Sequence, residues 1–454
     1  MSVYPKYQEC DGDWIIKIPA SWRLVRGKYL FEIKKRIVGK IGDDVLSITQ
    51  KGIKIKDIKS GDGQLSMDYS KYQIVEPGDF AMNHMDLLTG YVDISKYRGV
   101  TSPDYRVFSC KEKVVCSRFY LYVFQMGYTN KIFFKYGQGA SHLGRWRLPT
   151  EGFNNFWFPC PPNEDKETIV NFLDYEIGRI DTLIEKQQQL IKLLKEKRQA
   201  MISHAVNKGL SPNALMFDSG VEWLGEVPEH WSTIPLKLVV RTRKGVAFKS
   251  VDFTDTGIRV VKASDIKQKT IRATDVFLPE NFEYEYPKAL LNSGDIILST
   301  VGSNPDVKNS AVGQIGMVPE ELTGTLLNQN TVVFDPNEAK VLREYLFYIL
   351  QMEGYRDHLD LHAHGTANQS SLSISDMLNF SICFPPIEEQ REICTYLREQ
   401  QQKLSDLELR SGDSEALLRE RRTALISAAV TGKIDVRHWQ TPEPSNKNNK
   451  EVAA

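Results

Sequence analysis

The sequence predicts an α+β protein. It consists of two mixed α/β globular units separated by two long antiparallel helices forming a coiled coil, with a pseudo-two-fold internal repeat. Three observations predict this. The stretch Pro161 to Val206 aligns without a gap on Pro385 to Val430, a constant offset of 224, with fifteen of the 46 pairs identical. Upstream, Trp14, Pro19, Trp22 and Lys28 fall on Trp223, Pro228, Trp231 and Lys237 at an offset of 209. At Pro161-Pro162 the hydrophobic period changes from short β-branched and aromatic runs to a 3–4 spacing, the signature of an amphipathic helix. Two copies are too few for a solenoid, in which three or more units share a core. They imply a paired object.

Composition bounds the rest. The 454 residues suffice for two or three domains, and 41% hydrophobic with 26% charged residues is ordinary for a soluble globular chain. The 58 basic and 58 acidic residues cancel, which argues against a chain wrapped in nucleic acid but leaves room for a localised basic face. The longest apolar run, near Phe119 to Phe124, is too short to span a bilayer. The N-terminus MSVYPKYQEC lacks the basic flank and apolar core of a signal peptide. Six cysteines are scattered without a CxxC pair, Cys110 and Cys116 being closest. A reduced cytoplasmic protein with no membrane association is the expectation.

Taken in order, residues 1 to about 155 read as mixed strand and loop, with the runs Arg118–Phe124 and Lys131–Lys135 read as strands. Gly78-Asp79 and Gly294-Asp295 each precede an apolar segment and read as one structural position, a turn before a strand, in each unit. From 164 to 206, Ile169, Leu173, Ile177, Ile180, Ile184, Gln187, Ile191, Leu194, Arg198, Met201 and Ala205 mark a helix with a narrow seam. Glu164, Asp165 and Glu167 suit its N-terminus, Gly209 its stop, and its length is ~65 Å at 1.5 Å per residue. The second copy carries Ile393, Leu397, Leu404, Leu407, Leu417, Leu418 and Leu425. It is weak at Gly412, where a glycine costs ~1 kcal/mol against alanine and a kink or break would fall unless the first helix holds it. The first helix leaves one unit and the second must return to it, so antiparallel packing with the units at opposite ends is the simplest arrangement. The tail from Thr441 is polar and expected to be disordered.

Enzyme motifs are mostly missing. There is no GxxxxGK[ST] phosphate loop, no Gly-rich cofactor turn after a strand, and no carboxylate–lysine set with convincing nuclease spacing. His358 and His362 are spaced i, i+4, with His364, Asp357 and Asp360 nearby. That pattern fits metal ligands or, more simply, a polar helix end, so the reading is no metal and no catalytic residue. Basic residues cluster instead. Residues 22–40 hold Arg23, Arg26, Lys28, Lys34, Lys35, Arg36 and Lys40 against one acid, Glu32; 231–249 hold Lys237, Arg241, Arg243, Lys244 and Lys249 with none. Recurrence of such a patch in both units points to a phosphate backbone and to double-stranded DNA, although a solvated strand edge is also often rich in lysine. Gly-led polar loops precede both Pro-Pro pairs. GQGASHLGRW brings His142 and Arg145; GTANQSS brings Thr366, Asn368, Gln369 and Ser370. Several of these side chains can pair with base edges, and the alternative is an ordinary surface loop. At the helix ends, Ile202 and Ile426 are most simply packing residues, whereas Lys197, Arg198, Arg421 and Arg422 are either solvated charges or a docking surface for another protein. Ile202 and Ile426 enter that candidate docking set with the four basic residues.

The pattern resembles the DNA-specificity subunit of type I restriction–modification systems. FPPIEEQREI at Phe384, FPCPPNEDKETI at Phe158, the ISxAV helix ends at Ile202 and Ile426, and GVEWLGEVPEHW at Gly220 carry the likeness, over about residues 10 to 437. The resemblance implies target-recognition domains at 1–158 and 211–382, spacer helices at 159–210 and 383–437, and a disordered tail at 438–454. It implies a non-catalytic subunit that recognises an asymmetric bipartite DNA target and scaffolds two modification subunits and the restriction subunits. S-adenosylmethionine, ATP and Mg would then belong to those partners and no cofactor to this chain. A coiled-coil protein–protein adaptor that never touches DNA is the alternative.

Overall fold

The computed structural model describes residues 2–59, 66, 68–111, 117–139, 146–272, 275–302, 312–366 and 369–442. The chain forms two compact units, residues 1–188 with 412–454, and residues 189–411. Their boundary runs through both long helices, Asn163–Lys208 and Ile387–Val430, rather than at the helix ends where the sequence suggested it. The reason is packing. Ile169, Leu173, Ile177 and Ile180 of the first helix join Leu425, Ile426, Ala429 and Val430 of the second in the aromatic core of the first unit. Ile202, Ala205 and Val206 join Ile393 and Leu397 in the core of the second.

In the first unit a four-stranded antiparallel sheet runs in the order Phe31–Lys34, Arg106–Cys110, Phe80–Met82, Val92–Ile94. Its rings meet around Phe31, which lies 5.0–6.2 Å from those of Phe80, Phe108, Phe124 and Phe158. The run expected as a strand at Arg118–Phe124 is instead part of an α-helix, Ser117–Thr129, and the run at Lys131–Lys135 falls in a 3₁₀ turn, Ile132–Tyr136. Phe119 to Phe124 are all buried, and the side of this helix that reaches solvent is a narrow stripe of Arg118, Gln125 and Thr129. Within the run from Arg118 to Phe124 that stripe appears only once, so no 3.6-residue period shows, and the aromatic, β-branched composition imitates a buried strand.

The second unit is built on a six-stranded mixed sheet in the order Val240–Lys244, Thr331–Pro336, Ile296–Ser299, Ile315–Met317, Thr270–Ile271, Ile266–Lys267. Helices Arg343–Ile349 and Glu353–Leu361 contribute Tyr345, Leu346, Ile349, Tyr355 and Leu359 to its core. Both Gly-Asp pairs form the expected turn. Gly78 and Gly294 take φ of 92° and 81°, in the left-handed region that favours glycine. In each, the Asp side chain accepts from the backbone N–H three residues earlier, Glu76 at 2.9 Å and Asn292 at 3.0 Å.

A single frame recurs in both units at the offsets read from the sequence. Arg23–Arg26 pairs with Trp157–Cys160, and Ser232–Pro235 pairs with Ser381–Phe384, in the same antiparallel register. Trp14 stacks on Phe156 at 5.4 Å; Trp223 stacks on Phe380 at 4.4 Å. The indole N–H of Trp22 donates to Asp165 at 3.3 Å, and that of Trp231 to Glu389 at 3.3 Å, so each unit ties its entering strand to the first turn of a long helix. The helices pair antiparallel, since the partner's number falls as the residue number rises. In the first unit Asp181 accepts from Arg422 at 2.8 Å and Gln188 donates to Glu415 at 2.8 Å. In the second, Arg198 donates to Ser405 and forms an ion pair with Glu408, each at 3.1 Å. Arg198 is the repeat counterpart of Arg422, and Ser405 that of Asp181. The second helix continues without a break through Gly412, the position where the sequence left it weakest. At the other end of the chain, Trp439 packs on Phe172 and Tyr175, inside the segment expected to be disordered.

Candidate nucleic-acid interface

The frame places each basic stretch on a sheet edge. Phe31–Lys34 is the outer strand of the first sheet and Val240–Lys244 the outer strand of the second. An edge strand leaves backbone groups unpaired on one side, and lysine there keeps other strands away. Within these stretches the cations divide into two groups. Arg36 and Arg243 turn inward onto the carboxylate of the Gly-Asp turn. Arg36 pairs with Asp79, and Arg243 with Asp295 at 2.6 Å, while its other guanidinium nitrogen donates to the carbonyls of Lys288 at 3.0 Å and Leu290 at 2.9 Å. Asp295 also receives Arg343 at 2.8 Å and has a side chain only 3% exposed. These two arginines, read from sequence as DNA contacts, brace the sheet. Lys34 is half-buried and paired with Glu32. Lys35, Arg241, Lys244 and Lys249, by contrast, are exposed, and among the described residues none forms an ion pair.

The polar loop of the second unit is flanked by a strand hairpin. In the second unit, His364–Thr366 pairs with Gln369–Ser371, which also pairs with Val301–Gly302. Thr366 and Gln369 are the closing pair of this hairpin. Asn368 lies outside the described residues, as do His142 and Arg145 in the first unit. Ser370 is 3% exposed, shut between the two neighbouring strands, and cannot reach a ligand as the sequence reading supposed. The first loop is closed at its base by a two-way backbone pair between Gln138 and Arg147, with Trp146 stacked on Phe134 at 4.9 Å. Arg147 is exposed there, a cation that sequence reasoning passed over because only the Gly-led part of the loop drew attention.

Of the residues read as a protein-docking set, Ile202 and Ile426 are 0% and 4% exposed and belong to the cores. A side chain at the cores of the helix pairs meets no outside partner, and their ISxAV setting is explained by packing. Arg198 and Arg422 bridge to the opposite helix as described above. Lys197 and Arg421 are exposed. In the histidine cluster, His358 and His362 rings lie 4.3 Å apart, with His358 against the Asp376 carbonyl and His362 against the His358 carbonyl, both at 2.7 Å. The cluster thus holds a helix end together. Among the described residues no group of three His, Cys, Asp or Glu side chains is arranged to hold a metal ion. Nor is any described helix long and apolar enough to cross a membrane.

Residues 228–409 match the family described as the type I restriction modification DNA specificity domain. The chain is 24% identical over 445 residues to the type I restriction enzyme MjaVIII specificity subunit of Methanocaldococcus jannaschii, covering 95% of this chain and 96% of that one. It is 21% identical over 304 residues to the EcoBI specificity subunit of Escherichia coli, covering 65% and 62%. Its fold is similar to that of a chain solved in work on complex assembly and conformational transition of the type I R-M system. There the TM-score is 0.68 at 16% identity, over 92% of this chain and 99% of that one.

Proposed function

The chain belongs to the specificity-subunit family of type I restriction–modification systems, and on that premise we propose that it reads an asymmetric, two-part DNA target. The family is the non-catalytic part of these enzymes. The observation that carries the reading is the repeated frame holding unlike bodies. Both units share one strand pairing, one stacked Trp–Phe pair and one Trp–carboxylate bond. One body, however, is a four-stranded antiparallel sheet and the other a six-stranded mixed sheet. Equivalent mounts that carry different surfaces suit two different half-sites. Lys35, Arg147, Arg241, Lys244 and Lys249 would meet phosphates, which fix register but carry no sequence information. His142, Arg145 and Asn368, of the two polar loops, would meet base edges in the major groove.

In this reading two modification subunits and the restriction subunits dock on the chain, Lys197 and Arg421 are the exposed helix cations available to them, and the setting is the cytoplasm. Methyl transfer from S-adenosylmethionine, and ATP- and Mg-dependent translocation and cleavage, take place on those partners. Methylome sequencing of a host carrying the intact system tests the proposal: modified adenines should fall in two different half-sites at one fixed spacing. A palindromic target with identical halves would overturn it.

A further inference from the structure

The second unit holds a cavity of about 840 Å³ whose lining comes entirely from residues 195–401. Four donors line it, two exposed ammoniums and two buried nitrogens, and the Arg198 guanidinium is also paired with Glu408 at 3.1 Å. Lys195 and Lys269 enter no ion pair among the described residues, and the Arg198 Nε and the Gln401 Nε2 are buried with no hydrogen-bond partner. The only carboxylate of the lining, Glu344, is held by Arg398 at 2.6 Å. Phe347 supplies an apolar wall. Buried donors without partners are unfavourable unless something accepts from them.

The backbone adds a second, independent observation. Strands Ile266–Lys267 and Thr270–Ile271 are joined by the two-residue loop Gln268-Lys269. Both loop residues have positive φ, 52° and 64°. A two-residue hairpin loop with both φ positive normally takes Asn-Gly or Gly-Gly. Gln and Lys are strained there, and strain of this kind gathers at functional sites. Its effect is to present Lys269 to the cavity. Loss of hydration, and then the neighbouring Arg198 guanidinium, hold the Lys269 ammonium below the ordinary lysine range. An anion between the two would remove that repulsion.

We propose that this cavity is a phosphate-binding site, in which Lys195, Lys269, Arg198 Nε and Gln401 Nε2 donate to the oxygens of a phosphate group. The phosphate comes from a free nucleotide, with its base against Phe347, or from the backbone of bound DNA. Neither source depends on which bases the chain reads.

The test uses the full chain. Inorganic phosphate and AMP are titrated by calorimetry, and binding of a 30-base-pair duplex of arbitrary sequence is followed over a salt series. The variants are Lys195→Ala/Lys269→Ala, Lys269→Arg, and Lys403→Ala as a control at an exposed lysine. If the source is a free nucleotide, AMP binds the native chain, and the double variant weakens it at least about a hundredfold, each ammonium being worth about tenfold or more. If the source is DNA, the double variant lowers the salt slope of duplex binding by about two, one per lost cation. In either case Lys269→Arg retains binding and Lys403→Ala leaves it unchanged. Absence of phosphate and AMP binding together with an unchanged DNA salt slope would overturn the proposal, as would an equal effect of Lys403→Ala. Sequence-specific methylation that persists in either case shows that target reading stands independently.

Discussion

Arg241 and Arg243 lie two residues apart on one edge strand, and the structure gives them opposite roles. Arg243→Ala removes three hydrogen bonds, to the Lys288 and Leu290 carbonyls and to Asp295. The bond to a carboxylate is worth about 1.5–3 kcal/mol and each neutral one about 0.5–1.5. Asp295 keeps Arg343, and the guanidinium is 27% exposed, so water replaces part of the loss. A net cost of about 3 kcal/mol follows. At about 2–4 °C per kcal/mol for a body of this size, the melting transition of the second unit falls by roughly 6–12 °C. Arg241→Ala, exposed and outside any ion pair among the described residues, changes stability by less than about 0.5 kcal/mol. If Arg241 meets a phosphate, however, its loss reduces the salt slope of DNA binding by about 0.9. Differential scanning calorimetry of both variants, with duplex anisotropy over a salt series in the presence of the modification subunits, separates the two. A normal melting curve for Arg243→Ala with weakened DNA binding would refute the assignment.

Gly412→Ala should stabilise the second helix by about 1 kcal/mol, because the added methyl meets nothing within 4 Å and helix propensity improves; denaturant unfolding reads the gain. Ile426→Ala should cost about 2–5 kcal/mol by opening a cavity in the core of the first unit, visible as a lower denaturation midpoint with DNA contacts untouched. His84 gives a pH signature. Burial first, then Arg106 and Arg147, lower its pKa to about 3. The unfolded chain therefore binds a proton that the folded chain refuses between pH 6.5 and about 3. Stability falls as pH falls through that window, by up to about 1.4 kcal/mol per pH unit, and His84→Gln should flatten the melting-temperature profile there. Grafting residues 27–156 in place of 236–380 keeps both frame registers, so methylome sequencing of the grafted chain should report two copies of the first half-site.

The frame was legible because its residues are ones whose types cannot be exchanged freely. Tryptophans that stack and donate, prolines beside a helix start, and an apolar helical seam leave the same letters at the same offset. The bodies were not legible, because strand pairing is set by contacts far apart in sequence. The offset itself grows from 209 at the start of the units to 224 at their ends, the trace of extra chain in the second body. Basic residues misled for a related reason. A solvated arginine and a braced one look alike in sequence, and the acids that hold Arg36 and Arg243 lie 43 and 52 residues away. Arg118–Phe124 was misread because six consecutive buried residues hide the periodicity that identifies a helix, whose polar stripe returns only at Gln125 and Thr129.

The duplication does not yield two domains in tandem. Each core is closed by part of one long helix and the opposite part of the other, so the first unit is incomplete until Leu425 to Val436 are present. A chain ending at Lys208 would leave Ile169, Leu173, Ile177 and Ile180 without the residues that cover them in the native core. Completing the first unit thus requires closure of a loop spanning the entire second unit, a step whose entropy grows only slowly with loop length but which delays the reward of long-range contacts. The second unit lies within one continuous stretch, 189–411, and pairs its own two helix segments. It can complete its core without the chain termini. The interleaved repeat therefore couples the first body to the end of the second long helix: a chain that stops before Leu425 leaves the first core without the residues that close it.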